Sequence, residues 1–278
     1  MCRGSTIPSR LHRRTPEPSA PTRETAINAR FEDKVIAITG GGAGIGRTYA
    51  RRFCAEGAAI IIADLDPDAG ADAVAELTAS GGRAISVAMD VADEKAATDM
   101  VDAAVEAFGG LDILVNNAGI HLHHAHVPYT IEDLPRWRRV LDVNVVGALG
   151  CSIAARPAMA ARGGGAILNQ SSMAAYGGGG AYSVSKLALN ALTFALAGEF
   201  APDNIRVNGI APSLVDSEAA MASMAPEAQE FVIQGQMLKR LGRMEDLANM
   251  CLFLCSEEAS FVTGQTILVD GGFTKKPF

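Results

Sequence analysis

Val35–Phe53, VIAITGGGAGIGRTYARRF, is the stretch from which the rest of the chain can be read. Val35 to Thr39 are apolar or β-branched, the texture of a short buried strand. Glycines follow at Gly40, Gly41, Gly42, Gly44 and Gly46, and the next run, with no breaker before Gly57, predicts a helix. Strand, glycine turn and helix together make a diphosphate site. The glycines let backbone come close to the phosphates, and free N–H groups at the positive end of the helix dipole face them.

Spacing separates the possible owners of such a loop. The dinucleotide fingerprint G-x-G-x-x-G fits no register here. A phosphate-loop reading, Gly41, four residues, Gly46, Arg47, Thr48, has Arg47 where a lysine should reach the outer phosphates. Thr39-Gly40, three residues, Gly44-x-Gly46 fits a third pattern, the cofactor loop of the short-chain dehydrogenase/reductase family, which the chain resembles here. Ile45 sits inside this loop.

Working outward, apolar strands alternate with helical stretches. Strands are expected at about 58–63, 83–89, 111–115, 165–170, 205–211 and 265–269. Helices are expected at about 67–79, 93–108, 135–162 (kinked at Pro157), 181–201, 216–234 and 245–255. This rhythm predicts an α/β, doubly wound Rossmann fold with a parallel seven-stranded sheet and helices on both faces. No internal repeat or second domain stands out.

Composition narrows the function classes. Hydrophobic residues make up 49% and charged residues 20%, an ordinary globular balance with apolar runs too short for a bilayer. The net charge of −7 argues against nucleic acid. Five cysteines in a chain of 278 residues are no disulfide framework, and Cys251 and Cys255 read as buried thiols on one helix face. A reducing, cytoplasmic setting is expected. Residues 1–30 differ, with six arginines against two glutamates and prolines at 8, 16, 18 and 21. They read as a disordered basic tail preceding a single NAD-binding catalytic domain over 31–278. An organelle transit peptide is the alternative.

Asp64 ends the second strand, where a doubly wound fold places the adenosine ribose. A carboxylate there accepts from the ribose hydroxyls and repels a 2′-phosphate. With Ala43 rather than a cation just before Gly44, NAD is favoured over NADP. The amides of LVNNAG (Leu114 to Gly119) fall at the crevice where strand order reverses.

Tyr182 and Lys186 in AYSVSK stand one helical turn apart on the same face. An ammonium ~4 Å from a phenol, at effective dielectric ~20, favours the phenolate by ~4 kcal/mol, or about three pKa units. Such a phenol becomes a general acid–base.

The resemblance covers about residues 31–273 and implies further roles. It implies that Lys186 also holds the nicotinamide ribose and that Asp90, beside Val91, meets the adenine amino group. Asn117, Ala118 and Gly119 would contact the adenosine side. Ser172 would orient the substrate oxygen, with Ser171 as the alternative, and Asn144 would hold a proton-relaying water. Ser172 lies ten residues before Tyr182, where many members have thirteen, and Gly177 to Gly180 carry the shorter turn. After the sixth strand, Pro212 is followed by Ser213 where the family has glycine, and Val215 is the expected carboxamide contact. The Ala- and Met-rich segment 216–234 would cover the substrate. Residues 263–272 resemble the family's subunit-contact strand, and a homotetramer is implied.

HLHHAH places His121, His123, His124 and His126 together after NNAG. Four imidazoles can bind Zn²⁺ or Ni²⁺, but no acidic or cysteine co-ligand is near in sequence. A loop bordering the substrate pocket is preferred, with no metal site. The expectation is therefore hydride transfer between NAD(H) and a secondary alcohol or ketone, alicyclic or aromatic-fused, with no membrane or nucleic-acid partner. Reduction of a 3-oxoacyl thioester, a non-catalytic NAD-binding protein and a phosphate-loop NTPase are the alternatives.

Overall fold

The computed structural model describes Met1, residues 30–121 and residues 128–274. The tail expected over residues 1–30, its end residues apart, lies outside them, as do His123, His124 and His126. The elements run β1 Val35–Thr39, α1 Gly44–Ala55, β2 Ala59–Asp64, α2 Pro67–Ala79, β3 Arg83–Ala88, α3 Glu94–Phe108 and β4 Ile113–Asn116. They continue with α4 Leu134–Ala161, β5 Gly165–Gln170, α5 Gly180–Phe200, β6 Ile205–Pro212, α6 Glu218–Ser223, α7 Pro226–Gly235, α8 Met244–Cys255 and β7 Thr266–Val269.

The sheet has seven parallel strands in the order β3-β2-β1-β4-β5-β6-β7. Side chains alternate across it with the strand period of two. Ile36, Ile38, Ile60 and Ile62 pack with Tyr49 and Phe53 of α1 and with Leu247 and Leu252 of α8. Val35, Ala37 and Ile61 face the other way, into Met100 of α3, Cys151 and Met159 of α4, and Phe200 of α5. Both faces are therefore covered, as a parallel sheet requires. Phe31 is buried edge-on against Phe53, 4.8 Å between ring centroids, so packing begins where the composition changes.

Three details depart from the sequence reading. The helix expected over 216–234 is two helices, α6 and α7. Pro226 is the first residue of α7, and its ring forces Ala225 into an extended conformation (ψ 146°), which ends what precedes it. α4 runs through Pro157 and has its irregularity earlier, in a π turn over Asp142–Val146. By length and composition α4 is apolar enough to cross a bilayer, but its Cys151, Ala155 and Met159 are fully buried against the sheet. The fourth strand begins at Ile113, two residues later than expected.

Among the described residues, Cys151, Cys251 and Cys255 are buried in the core. Burial pushes the Cys151 thiol up to about 12 and the Cys251 thiol well above its ordinary value, so neither is a thiolate at neutral pH.

Candidate active site

Strand order reverses between β1 and β4, opening a crevice at the C-terminal ends of the strands. The glycine loop forms one wall of it. Gly40 (φ +63°) and Gly44 (φ +53°) occupy the left-handed region, which a side chain disfavours. Gly46 is required for a different reason. A Cβ there would fall 2.1 Å from the Gly40 carbonyl oxygen and 2.6 Å from Asn117 Nδ2. Ala43, the N-cap of α1, offers no side-chain acceptor, which leaves the first N–H groups of that helix to a ligand. A positively ended helix behind a close-packed glycine turn fits a diphosphate.

The NNAG segment fixes this loop. Asn117 Nδ2 donates to the carbonyls of Thr39 and Gly40, both at 3.0 Å. Thr39 Oγ1 accepts from the backbone N–H groups of Asn117 and Ala118. Asn116 is buried and ties β4 to Ser152 of α4 and Asn169 of β5. Asp64 also serves the loop, because its Oδ2 accepts the Gly42 N–H at 2.8 Å and its Oδ1 that of Asp66. Arg47, which a phosphate-loop enzyme would need at the outer phosphates, is instead paired with Glu76 of α2 at 2.6 Å.

A cavity of roughly 230 Å³ opens beside the loop between Asp64, Met89, Asp90, Val91, Ala118, Gly119 and Arg139. Asp93, not Asp90, caps α3. Asp90 accepts from the Ala92 N–H (3.0 Å) and from Arg139 (2.7 Å). The Ala92 hydrogen bond, followed by Arg139, holds its carboxyl below the usual range against the opposing effect of partial burial.

A second cavity of roughly 180 Å³ continues the crevice over β5 and β6. Ile45, Asn117, Gly119, His121, Ser172, Tyr182, Lys186, Pro212 and Val215 all reach it. Ser172 ends the extension of β5, accepts from the Ala174 N–H and lines the same cleft as the Tyr182 phenol. Ser171 is buried and turned the other way, its hydroxyl on Asn190 and the Lys186 carbonyl. Of the two serines, Ser172 faces the cleft.

Tyr182 and Lys186 lie on one face of α5 with Lys186 Nζ 5.6 Å from the phenol ring centroid. The expected lowering of the phenol does not appear. Burial pushes Tyr182 above its ordinary value, and the nearby Ser172 hydroxyl opposes that only in part. Lys186 is itself desolvated, with its pKa pulled down to about 8, and its ammonium donates to the Gln170 carbonyl at 2.7 Å rather than to the phenol. A Coulomb attraction at an effective dielectric of ~20 leaves out the cost of burying the two charges, and here that cost is the larger effect.

Asn144 lies in the π turn of α4, 1% exposed. Its Oδ1 accepts the Ile120 N–H at 2.7 Å, and its Nδ2 donates to the Ile120 carbonyl and to Ser185 Oγ. Ser185 Oγ in turn donates to the Tyr182 carbonyl. A Cβ on Gly119 would lie 3.1 Å from Asn144 Oδ1 and 3.5 Å from Lys186 Nζ, so that glycine lets the β4 loop approach both. Val215 is buried and bridges to Gly242, and Ser213 takes the family's glycine position without a positive φ.

Several contributors had no signal of their own in the sequence. Gln170 works through its backbone carbonyl, which any residue supplies. Arg139 meets Asp90 only because α4 crosses that edge. The His121 ring stands 6.0 Å from that of Tyr182, centroid to centroid.

Fold and cleft together define a class, the Rossmann-type oxidoreductases. The family model described as enoyl-(acyl carrier protein) reductase matches residues 40–274. An uncharacterised oxidoreductase of Mycobacterium tuberculosis is 43% identical over 242 residues, 87% of this chain and 98% of that protein. The 7alpha-hydroxysteroid dehydrogenase of Escherichia coli is 37% identical over 250 residues, 88% and 96% of the two chains. A cis-4-hydroxycyclohexanecarboxylate dehydrogenase of Sinomonas cyclohexanicum is 38% identical over 248 residues, 88% and 98%. A solved structure of 7 alpha-hydroxysteroid dehydrogenase with NADH and 7-oxo glycochenodeoxycholic acid superposes with a TM-score of 0.84 at 36% identity, covering 89% of this chain and 96% of that one. The chain belongs to the short-chain dehydrogenase/reductase family.

Proposed function

We propose that this protein transfers hydride between NAD(H) and a secondary alcohol or ketone borne on an alicyclic ring. One observation carries the reading: Ser172 and Tyr182 line one cleft, with the Lys186 ammonium buried one helical turn on, 5.6 Å from the phenol ring centroid. The loop at Gly40, Gly44, Ile45 and Gly46 receives the diphosphate, Asp64 the adenosine ribose, and the cavity at Asp90 and Val91 the adenine. Pro212 and Val215 face the carboxamide. When bound, the nicotinamide supplies the hydride acceptor or donor.

In the oxidative direction the substrate hydroxyl proton passes to the Tyr182 oxygen as the carbinol hydride leaves; reduction reverses both transfers. Ser172 holds the substrate oxygen beside the phenol. A bound oxidised cofactor adds positive charge next to a phenol that burial alone keeps protonated, so proton exchange is coupled to cofactor binding. Lys186 holds the ribose and favours the phenolate, and Asn144 anchors the relay behind it. Much of the rate comes from holding the reactants in attack geometry.

An alicyclic substrate is supported by the apolar residues over the cleft, Met173, Leu214, Ala220 and Met224, and by the two ring-alcohol dehydrogenases among the relatives. NAD is supported by the Asp64 carboxylate. A single catalytic domain from residue 31, a cytoplasmic location and a homotetramer complete the proposal. Exposed Val146 and Ile153 on α4, with Val184, Leu187 and Phe194 on α5, offer apolar surface to further copies. The test is a nicotinamide-absorbance screen of alicyclic alcohols and ketones with NAD and NADP. Turnover with NAD and ring alcohols is expected; turnover only with NADP, or with none of the panel despite NAD binding, contradicts the proposal.

A further inference from the structure

The catalytic helix begins without a cap of its own. Gly179 is the N-cap of α5, it has no side chain to accept from the first turn, and the residues leading into it are Gly177, Gly178 and Gly179. Tyr182 is the third residue of this helix, so it sits in the very turn that frays when orphan N–H groups go unmet. Four consecutive glycines ahead of it maximise the freedom that must be lost to hold that turn.

The missing acceptor comes from a distant part of the chain. Tyr129, between β4 and α4, accepts the Gly180 N–H on its phenol oxygen at 2.7 Å, although the residue is 78% exposed. Its ring packs against Trp137 of α4, 5.3 Å between centroids, and Trp137 Nε1 donates to the Pro128 carbonyl. Trp137 in turn packs on the small cluster of Val140, Ala181 and Tyr182. A large aromatic left this exposed gains little from burial, so its hydrogen bond and its stack on Trp137 are the contacts that fix it.

We infer that Tyr129 is a positioning residue, an external N-cap for α5 that holds the first turn, and with it the Tyr182 side chain, in the cleft that Ser172 also lines. The inference rests on the proposed role of Tyr182 but adds a residue outside the cleft. It also explains how the turn from Ser172 to Tyr182 can be short and glycine-rich and still present the phenol in one place.

Tyr129→Phe removes the hydroxyl and keeps the ring on Trp137, and at an exposed site it leaves the fold intact. Amide hydrogen exchange over residues 178–182 is expected to speed up about five- to tenfold, the worth of one helix cap. With a ring alcohol that the parent oxidises, kcat should fall by a similar factor while the NADH dissociation constant stays unchanged. The rising limb of the oxidation pH profile should move to higher pH, because the phenol is held less firmly beside the Ser172 hydroxyl, whose proximity favours the phenolate. Gly179 has φ −121° and ordinary room for a Cβ, so Gly179→Ser can supply an internal cap. Adding it to Tyr129→Phe should restore both exchange and kcat. Exchange and kcat within twofold of the parent in Tyr129→Phe, or a loss that Gly179→Ser does not restore, would overturn the inference. If Tyr182→Phe keeps turnover, the assignment of the chemistry fails instead, whereas the exchange measurement still reports on the cap.

Discussion

The two ends of the crevice are built by opposite means. On the glycine-loop side close-packed backbone, pinned by neighbouring side chains, forms the wall. Gly46 is pressed against the Gly40 carbonyl, Asn117 spans Thr39 and Gly40, and Asp64 holds Gly42, so the loop is fixed from within the wall. On the substrate side the geometry depends on side chains brought together from separate elements: Ser172 after β5, Tyr182 and Lys186 on α5, Asn144 in a π turn, and a cover of two short helices. The first end is close-packed and tolerates little change. The second can be retuned, which is how one fold serves many alcohols.

Gly46→Ala should break the rigid end outright. The added Cβ meets backbone oxygen, so a stability loss of about 3 kcal/mol and loss of cofactor binding are expected, read by chemical denaturation and NADH fluorescence. On the substrate side the comparison sharpens between neighbouring serines. Ser172→Ala should lower kcat about 10²-fold with stability unchanged. Ser171→Ala should cost about 1 kcal/mol of stability with kcat unchanged.

Lys186→Met tests whether the catalytic end carries a cost in stability. Burial depresses the Lys186 pKa in the folded protein to about 8, so below that pH the folded state carries a desolvated charge, whereas the unfolded chain carries the same charge in water. The unfolded state binds more protons between pH 8 and the ordinary lysine value, so this penalty fades as pH rises through that window. The variant should be inactive yet more stable than the parent by about 3 kcal/mol below pH 8, less the lost Gln170 hydrogen bond. The difference should vanish toward pH 10.5. Asp64→Ala should relax the cofactor preference about tenfold toward NADP in paired dissociation constants, with a stability loss of about 1 kcal/mol as the Gly42 N–H loses its acceptor.

How much of this was legible in the sequence follows the same division. Strand–helix alternation gave the sheet and both its faces, because period-two and helical patterns are local. The glycine loop, NNAG and the Tyr182–Lys186 spacing could be read because each is confined to a few adjacent residues. The π turn around Asn144 could not, since nothing in DVNVV announces an extra residue in the turn. Pro226 opens the second of two short helices in 216–234, a boundary that the Ala- and Met-rich composition of the stretch does not mark. The direction of the Tyr182 shift depended on burial, a property of the whole fold. Tyr129 meets Gly180 across 51 positions of chain, and no local pattern records that contact.

The central claim is that the Tyr182 hydroxyl exchanges the substrate proton in a cleft that binds NAD(H) independently of it. Tyr182→Phe, assayed for NADH binding by fluorescence and for ring-alcohol turnover by nicotinamide absorbance on the same sample, tests this most directly. The account predicts unchanged binding with turnover lowered by at least about 10³-fold. Turnover within tenfold of the parent, with binding intact, would contradict it.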